Sequence, residues 1–310
     1  MNLRRSLTLV AAGAALVLGL TACGGSSGGG SPLGGGSSQA PAANDTIRIG
    51  SADFVESQII AQIYGQALQA KGVKVEITPP VGSREVYFPA LTDGSIDLIP
   101  DYTGTLLQYI NKQATETDSE AVYAALQKTV PAPLTVLNKA AAEDKDAVVV
   151  TSGFAQQHNL KSIADLAPIA GTMAFGGPSE FQTRPDGIPG IEKTYGVKFK
   201  SFSALDTGGP VTVKGLNDNT VQAADLFTTD PSIEANRFVV LEDPKNNFAA
   251  QNVVPLINSG KATDQVKQIL NAVQAKLTTE GLVELNRTAN GADKPNLDTV
   301  AKSWLAQNGL

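Results

Sequence analysis

From Thr46 onward, short runs of β-branched residues alternate with segments of helical spacing, and this alternation restricts the fold more than any other feature. Ile47 and Ile49 open a strand, after which Ile59, Ile60, Ile63, Tyr64, Ala67 and Leu68 recur at the 3–4 residue spacing of one helix face. Lys71-Gly72 closes that helix with a basic last turn and a C′ glycine. Val73, Val75 and Ile77 alternate as a second strand. Ser83 can cap a short helix through Leu91, and Ile96–Ile99 reads as the next strand. Strand–helix–strand units of this length predict a parallel sheet covered by helices on both faces.

A second set of elements follows Pro131 and Pro133, with strands expected at 147–150, 172–175, 197–202 and 221–226 and helical segments between them. After a strand at 238–241, another is expected at 252–257. Amphipathic helices at 262–277, 279–287 and 297–307 complete the chain. Two α/β sets followed by a helical tail predict a two-lobed body whose tail returns to the first lobe. The chain then crosses between lobes twice, near Glu143–Asp146 and near Pro244–Gln251. The expected division is residues 46–143 with 250–310 as lobe 1 and 144–249 as lobe 2. A cleft between such lobes, at the carboxyl ends of the strands, is where ligands commonly sit.

The N-terminus predicts an address. Arg4 and Arg5 precede an apolar run from Leu7 to Leu20, short for a membrane span of about 20 residues, so residues 1–22 read as a secretory signal. The run ends in Leu20-Thr21-Ala22-Cys23, which resembles the lipobox of bacterial lipoproteins and makes Cys23 the expected lipidated first residue. Residues 24–44 hold eight Gly and five Ser and almost no large apolar side chain, so they cannot offset the entropy of ordering themselves. Residues 23–45 are therefore expected to act as a tether with a span on the order of 25 Å. It would hold the folded body at the outer face of a bacterial cell membrane.

Composition removes several classes of function. The 310 residues carry 24 Lys+Arg against 30 Asp+Glu, and an acidic chain without a basic run is a poor nucleic-acid binder. One histidine, His158, and one cysteine, Cys23, preclude an internal disulfide and supply too few His/Cys ligands for zinc. No G-x-S-x-G elbow occurs. An acid/base enzyme built on Asp53, Glu56 or Asp101 would lack a nucleophile–base pair, so no enzyme and no cofactor is expected. Gly176-Gly177 and Gly208-Gly209 precede no Lys-Ser/Thr pair and read as turns, not phosphate loops.

Several segments, taken in order, resemble one family. They are Ile49-Gly50-Ser51 through Phe54 to Glu56 and Gln58, then Gly82-Ser83-Arg84-Glu85, Gly94-Ser95-Ile96-Asp97-Leu98 and Asp101-Tyr102-Thr103-Gly104-Thr105. Phe175–Phe181, Arg184-Pro185-Asp186-Gly187 and Phe227-Thr228-Thr229-Asp230 follow. The ordered set resembles the substrate-binding subunits of ABC importers for osmoprotectants of the glycine betaine, choline and carnitine type. The resemblance implies a type II periplasmic-binding-protein-like fold that closes on a small solute and delivers it to a permease driven by an ATPase. A monomer suffices for that role. A solute sensor that signals without transport is the alternative for the same body.

In the family, tyrosine faces cage the quaternary ammonium, and cationic and hydroxyl donors hold the carboxylate. Such a cation cannot donate hydrogen bonds, so ring quadrupoles suit it, whereas a carboxylate suits a guanidinium fork. The resemblance places Tyr102 on a cage tyrosine, Thr105 on a carboxylate-binding threonine and Arg184 on the carboxylate-binding arginine. Phe227 stands where a cage tyrosine is usual. Ser51 and Asp53, from the first motif, complete the candidate set. Three positions depart from the pattern. Ala52 replaces a carboxylate-binding lysine, Asp146 falls where a cage tyrosine is expected, and Gln251 replaces another after Ala249-Ala250, where Pro-Pro is frequent. Two lost ring faces at ~2 kcal/mol each would weaken betaine binding roughly a hundredfold or more. Loss of the lysine removes a charged hydrogen bond of about 1.5–3 kcal/mol. Asp146 would then favour choline over a zwitterion, or with Gln251 make room for a bulkier polyol, sugar-like or phenolic ligand. Taken alone, Arg184 could equally pair with Asp186 or Glu180.

Overall fold

In the computed structural model the described residues are 45–291 and 293–310. The expected signal, Cys23 and the Gly/Ser stretch up to Asn44 lie outside them. The first half of the body runs β1 (Ile47–Ile49), α1 (Val55–Ala70), β2 (Val75–Ile77), α2 (Arg84–Thr92), β3 (Leu98–Tyr102), α3 (Thr103–Ile110), α4 (Ser119–Thr129) and β4 (Leu134–Val136). The chain continues with β5 (Asp146–Thr151), α5 (Ser152–His158), β6 (Ala174–Gly177), α6 (Ile188–Tyr195), β7 (Ser201–Ala204), α7 (Pro210–Asn217), β8 (Ala223–Phe227), α8 (Pro231–Ala235) and β9 (Phe238–Val240). It ends in β10 (Val253–Asn258), α9 (Asp264–Gln274), α10 (Thr279–Ala289) and α11 (Leu297–Asn308).

Among the described residues the strands form two five-stranded sheets, ordered β2-β1-β3-β10-β4 and β7-β6-β8-β5-β9. The sheets are mixed rather than parallel throughout. β10 runs antiparallel to β3 and β4, and β5 runs antiparallel to β8 and β9. The reversed strands are those that arrive from the other lobe. A strand delivered by a helical crossover enters parallel to its neighbour, whereas one fed from across the molecule is free to enter from the opposite end. The two crossing segments touch each other, with Glu143 and Asn252 forming an antiparallel bridge.

Each sheet is covered on both faces. Ile47, Ile49 and Leu98 pack with Ile59, Ile63 and Leu68 of α1 and with Val266, Leu270, Leu282 and Trp304 of the tail, so the tail does return to the first lobe. Tyr87, Leu91, Ile99, Leu106 and Leu126 cover the opposite face. In the second lobe, Val148, Val150, Phe175 and Phe181 face one core, and Val149, Leu216, Val221 and Leu226 face the other.

Several boundaries differ from the sequence expectation for identifiable reasons. β3 begins at Leu98 because the Ile96 N–H is taken by the Ala90 carbonyl, in the loop after α2. β7 begins at Ser201 because the Lys200 N–H bonds to the Ala170 and Met173 carbonyls. Gly176-Gly177 is not a turn but the buried end of β6. A Cβ on Gly176 would lie 2.6 Å from Leu205 Cδ1 and 3.0 Å from Val221 Cγ2, so a larger residue there would force those side chains to shift. Ser83 occupies the N-cap of α2 without making a capping hydrogen bond, while Asp118 caps α4 by accepting from the Glu120 and Ala121 amides.

Candidate functional site

The sheet ends meet across a gap between the lobes. An open groove of about 1810 Å³ lies there, walled by Val86, Asn286 and Arg287 on one side and by Pro178, Asp206 and Phe227 on the other. A small cavity of about 50 Å³ shares Asp53, Phe54, Ser83, Glu180 and Phe227 with it. That volume holds roughly three or four waters. The smaller space carries the chemistry: Asp53, Tyr102, Thr105, Asp146, Arg184, Phe227 and Gln251 all line it. The structure does not bring Ser51 there. It is buried, and its carbonyl accepts from the Val81 amide.

Local structure explains how each group arrives. Tyr102 ends β3 and N-caps α3, which puts Thr105 on the first turn facing the second crossing segment. Phe227 ends β8, Asp146 starts β5, and Gln251 precedes β10. Gln251 and Asp146 therefore sit on the two crossing segments. Gln251 Nε2 donates to Asp146 Oδ2 at 2.7 Å, and its Oε1 accepts from Thr105 Oγ1 at 3.1 Å. The room expected from Asp146 and Gln251 is thus filled by their own bond.

Two rings not singled out in the sequence join the lining, Phe54 and Tyr87. Phe54 lies 5.0 Å from Phe227 and 6.0 Å from Tyr102, centroid to centroid. With Tyr102 and Phe227 they bring the aromatic residues on the lining to four. Phe54 lay inside the first quoted motif, and Tyr87 one turn beyond Ser83.

Both guanidinium groups on the lining are engaged. Arg84 donates to Asp101 through Nη2 at 2.6 Å and Nε at 3.2 Å, with both side chains buried. Arg184 donates through Nε to Glu85 Oε1 at 3.1 Å and through Nη2 to Glu85 Oε2 at 3.0 Å, with Glu180 more distant at 3.8 Å. Its partner is therefore across the gap, not Asp186. Burial works to raise the Glu85 carboxyl, but the hydrogen bond and charge of Arg184 outweigh it and hold it at about 2.

On and behind the lining sits a set of buried acids, Asp144 on it and Asp186 and Asp225 behind. Burial, then the nearby Asp146 charge, pushes Asp186 up to about 6. Burial likewise raises Asp225, one of whose oxygens has no partner, and Asp144, which is raised further by Glu56. His158 does not line the cavity, and its ring lies tilted against Phe154 with centroids 4.5 Å apart.

A pH dependence follows. Asp186 has a folded pKa above its unfolded value near 3.8, so the folded state holds its proton more tightly. The resulting stability is fully present below about pH 3.8 and is lost as pH rises through about 6, amounting to on the order of 1–3 kcal/mol. Asp186→Asn is expected to flatten the thermal-unfolding profile between about pH 3.8 and 6. An unchanged slope would remove Asp186 as its source.

Two α/β lobes, joined by paired crossing segments and walling one hollow from both sides, define a two-lobed solute-binding protein with the type II periplasmic binding fold. The chain belongs to the family described as the substrate binding domain of ABC-type glycine betaine transport systems, which matches residues 45–307. It is a binding protein, not an enzyme. The carnitine transport binding protein OpuCC of Listeria monocytogenes is 29% identical over 278 residues, covering 85% of this chain and 87% of that one. The glycine betaine-binding protein YehZ of Escherichia coli K12 is 27% identical over 279 residues, covering 85% and 90%. A protein of Helicobacter pylori named as an ergothioneine transport permease/ergothioneine binding protein is 24% identical over 82% of this chain and 46% of its own length. Among solved folds, a glycine betaine/carnitine/choline ABC transporter structure superposes with a TM-score of 0.67 at 24% identity, over 85% of this chain and 98% of that one.

Proposed function

We propose that this chain is the extracytoplasmic lipoprotein receptor of an ABC importer, anchored through Cys23, and that it captures a quaternary-ammonium osmoprotectant of the choline or glycine betaine type by lobe closure. The observation that carries this reading is the convergence of Phe54, Tyr87, Tyr102 and Phe227 with Asp146 on one cavity at the lobe crossing. Ring faces and a carboxylate are the natural surroundings of a cation that has no hydrogen to donate. Tyr102, Thr105, Phe54 and Tyr87 come from one lobe and Arg184, Phe227 and Asp146 from the other. A ligand touching all of them favours the closed form by its differential affinity. A cavity of about 50 Å³ is too small for such a solute, so the lining must part on binding. The relative that unites a permease and a binding protein by name supports a permease as the partner.

Thermal-shift and calorimetric titration with choline, glycine betaine, carnitine, proline and ergothioneine tests the ligand, with a polyol and a phenolic compound as the competing class. A true ligand at a hundred times its dissociation constant adds ~2.7 kcal/mol to stability. A response confined to the polyol or phenolic compound would replace the quaternary-ammonium reading. The anchor is tested separately: Cys23→Ser is expected to release the protein from cell membranes into the medium or periplasm, and retention would refute lipidation at Cys23.

A further inference from the structure

We propose that Glu85 is a specificity residue. By filling the Arg184 fork, it excludes ligands that carry a carboxylate and leaves the cavity to quaternary cations that lack one. This rests on the quaternary-ammonium reading above and narrows it.

A carboxylate-bearing ligand needs a cation on the cavity wall. Among the described residues, Arg84 and Arg184 are the cations that line it. Arg84 is consumed by Asp101, which is fully buried. Arg184 is consumed by Glu85 in a two-bond fork of 3.0 and 3.1 Å, the geometry in which a guanidinium would otherwise take a ligand carboxylate. Ala52 also lines the cavity and adds no charge. A ligand carboxylate would therefore have to displace Glu85 from that edge or approach an already neutralised guanidinium through Nη1.

That competition is unequal. Glu85 is on the same chain, so it meets Arg184 at high effective concentration and gives up little further freedom in pairing. It lies in the first turn of α2, where the helix N-terminus also favours its charge. Asp53, Asp144, Asp146 and Glu180 line the same space, with Asp186 and Asp225 close behind. Around a cavity this acidic, an incoming anion is repelled while a cation is attracted.

Glu85 also lies on the first lobe and Arg184 on the second, so the pair bridges the gap. The ligand-binding closure that would bring a carboxylate to Arg184 brings Glu85 there too. Selection and closure therefore use the same contact. Glu85 looks like an ordinary helix-surface charge in the sequence, and its role comes only from what α2 faces.

The experiment is isothermal titration of choline, glycine betaine and carnitine into the wild-type chain, Glu85→Gln and Glu85→Ala, with thermal unfolding to confirm that each variant is folded. The wild type is expected to bind choline at least tenfold more tightly than betaine. Both variants are expected to shift the betaine-to-choline ratio of dissociation constants at least tenfold in favour of betaine, with carnitine following betaine. A purely structural role would weaken all three ligands together and leave that ratio alone. Glu85 is overturned as the selector if the wild type binds betaine as tightly as choline. It is equally overturned if the ratio stays within twofold in the variants. If neither choline nor betaine binds the wild type or either variant, the quaternary-ammonium reading itself fails, and this assignment falls with it. Should Glu85→Ala not fold, the isosteric Glu85→Gln decides.

Discussion

Asp101→Ala is expected to destabilise the protein by about 3–5 kcal/mol, read as a fall in the denaturant midpoint. Asp101 is completely buried and neutralises Arg84, which is only 6% exposed, through hydrogen bonds of 2.6 and 3.2 Å. Asp101 Oδ1 also accepts from the Tyr102 amide at 2.7 Å. The alanine variant would leave a guanidinium without a counter-charge in the core. It would also strand the amide that starts the α3 turn. Most of the loss arises from that orphaned charge, so a second substitution should repair it. Asp101→Ala combined with Arg84→Met removes both charges, and an apolar replacement of a buried ion pair is often close to neutral. The double variant is expected to recover most of the stability lost by the single one. If it is as unstable as the single variant, packing around Asp101, and not charge compensation, is what the pair provides.

The same pair shows where the sequence stops being legible. Alternating β-branched runs located the strands that begin at Ile47 and Val75, and 3–4 residue spacing located α1 and the three tail helices, because those patterns are set by which face is buried. β4 was invisible: it has three residues directly after Pro131 and Pro133, too few for an alternation to show. The antiparallel entry of β5 and β10 was equally hidden, since direction in a sheet is decided by where the chain comes from. Of the candidate site, Tyr102, Thr105, Arg184, Phe227, Asp146 and Gln251 do meet at one cavity. Ser51 is only two residues from Asp53 in the same loop, yet its side chain is buried and does not line the cavity. Phe54, Tyr87 and Glu85 were missed for one shared reason. Each lies on or beside a helix of the first lobe, and its role depends on the second lobe, which no local pattern encodes.

Glu56 is the most connected of these lobe-to-lobe groups, and Glu56→Ala is expected to cost about 2–4 kcal/mol while loosening the closed form. Its carboxyl accepts from Tyr102 Oη at 2.7 Å, from Thr229 Oγ1 at 2.6 Å and from Asn286 Nδ2 at 2.6 Å. Tyr102 and Asn286 belong to the first lobe and Thr229 to the second, so one buried acceptor ties the two lobes to each other. Each buried donor left unsatisfied costs about 1–3 kcal/mol. Part of that is offset because the carboxyl no longer bears the burial that raises its pKa. Thr229→Val separates closure from stability. It removes only the interlobe hydroxyl at nearly constant volume and leaves Tyr102 and Asn286 bonded. Ligand-free scattering is expected to show a larger radius of gyration for Thr229→Val than for the wild type. Choline affinity should fall by roughly tenfold or more, since about 1.4 kcal/mol of closure free energy corresponds to a factor of ten. Tyr102→Phe should weaken the same ligand less, because it removes a hydrogen bond within one lobe and keeps the ring face. Equal scattering profiles for Thr229→Val and wild type would mean that closure is held elsewhere, by the Arg184–Glu85, Arg287–Glu234 and Gln251–Asp146 contacts across the gap.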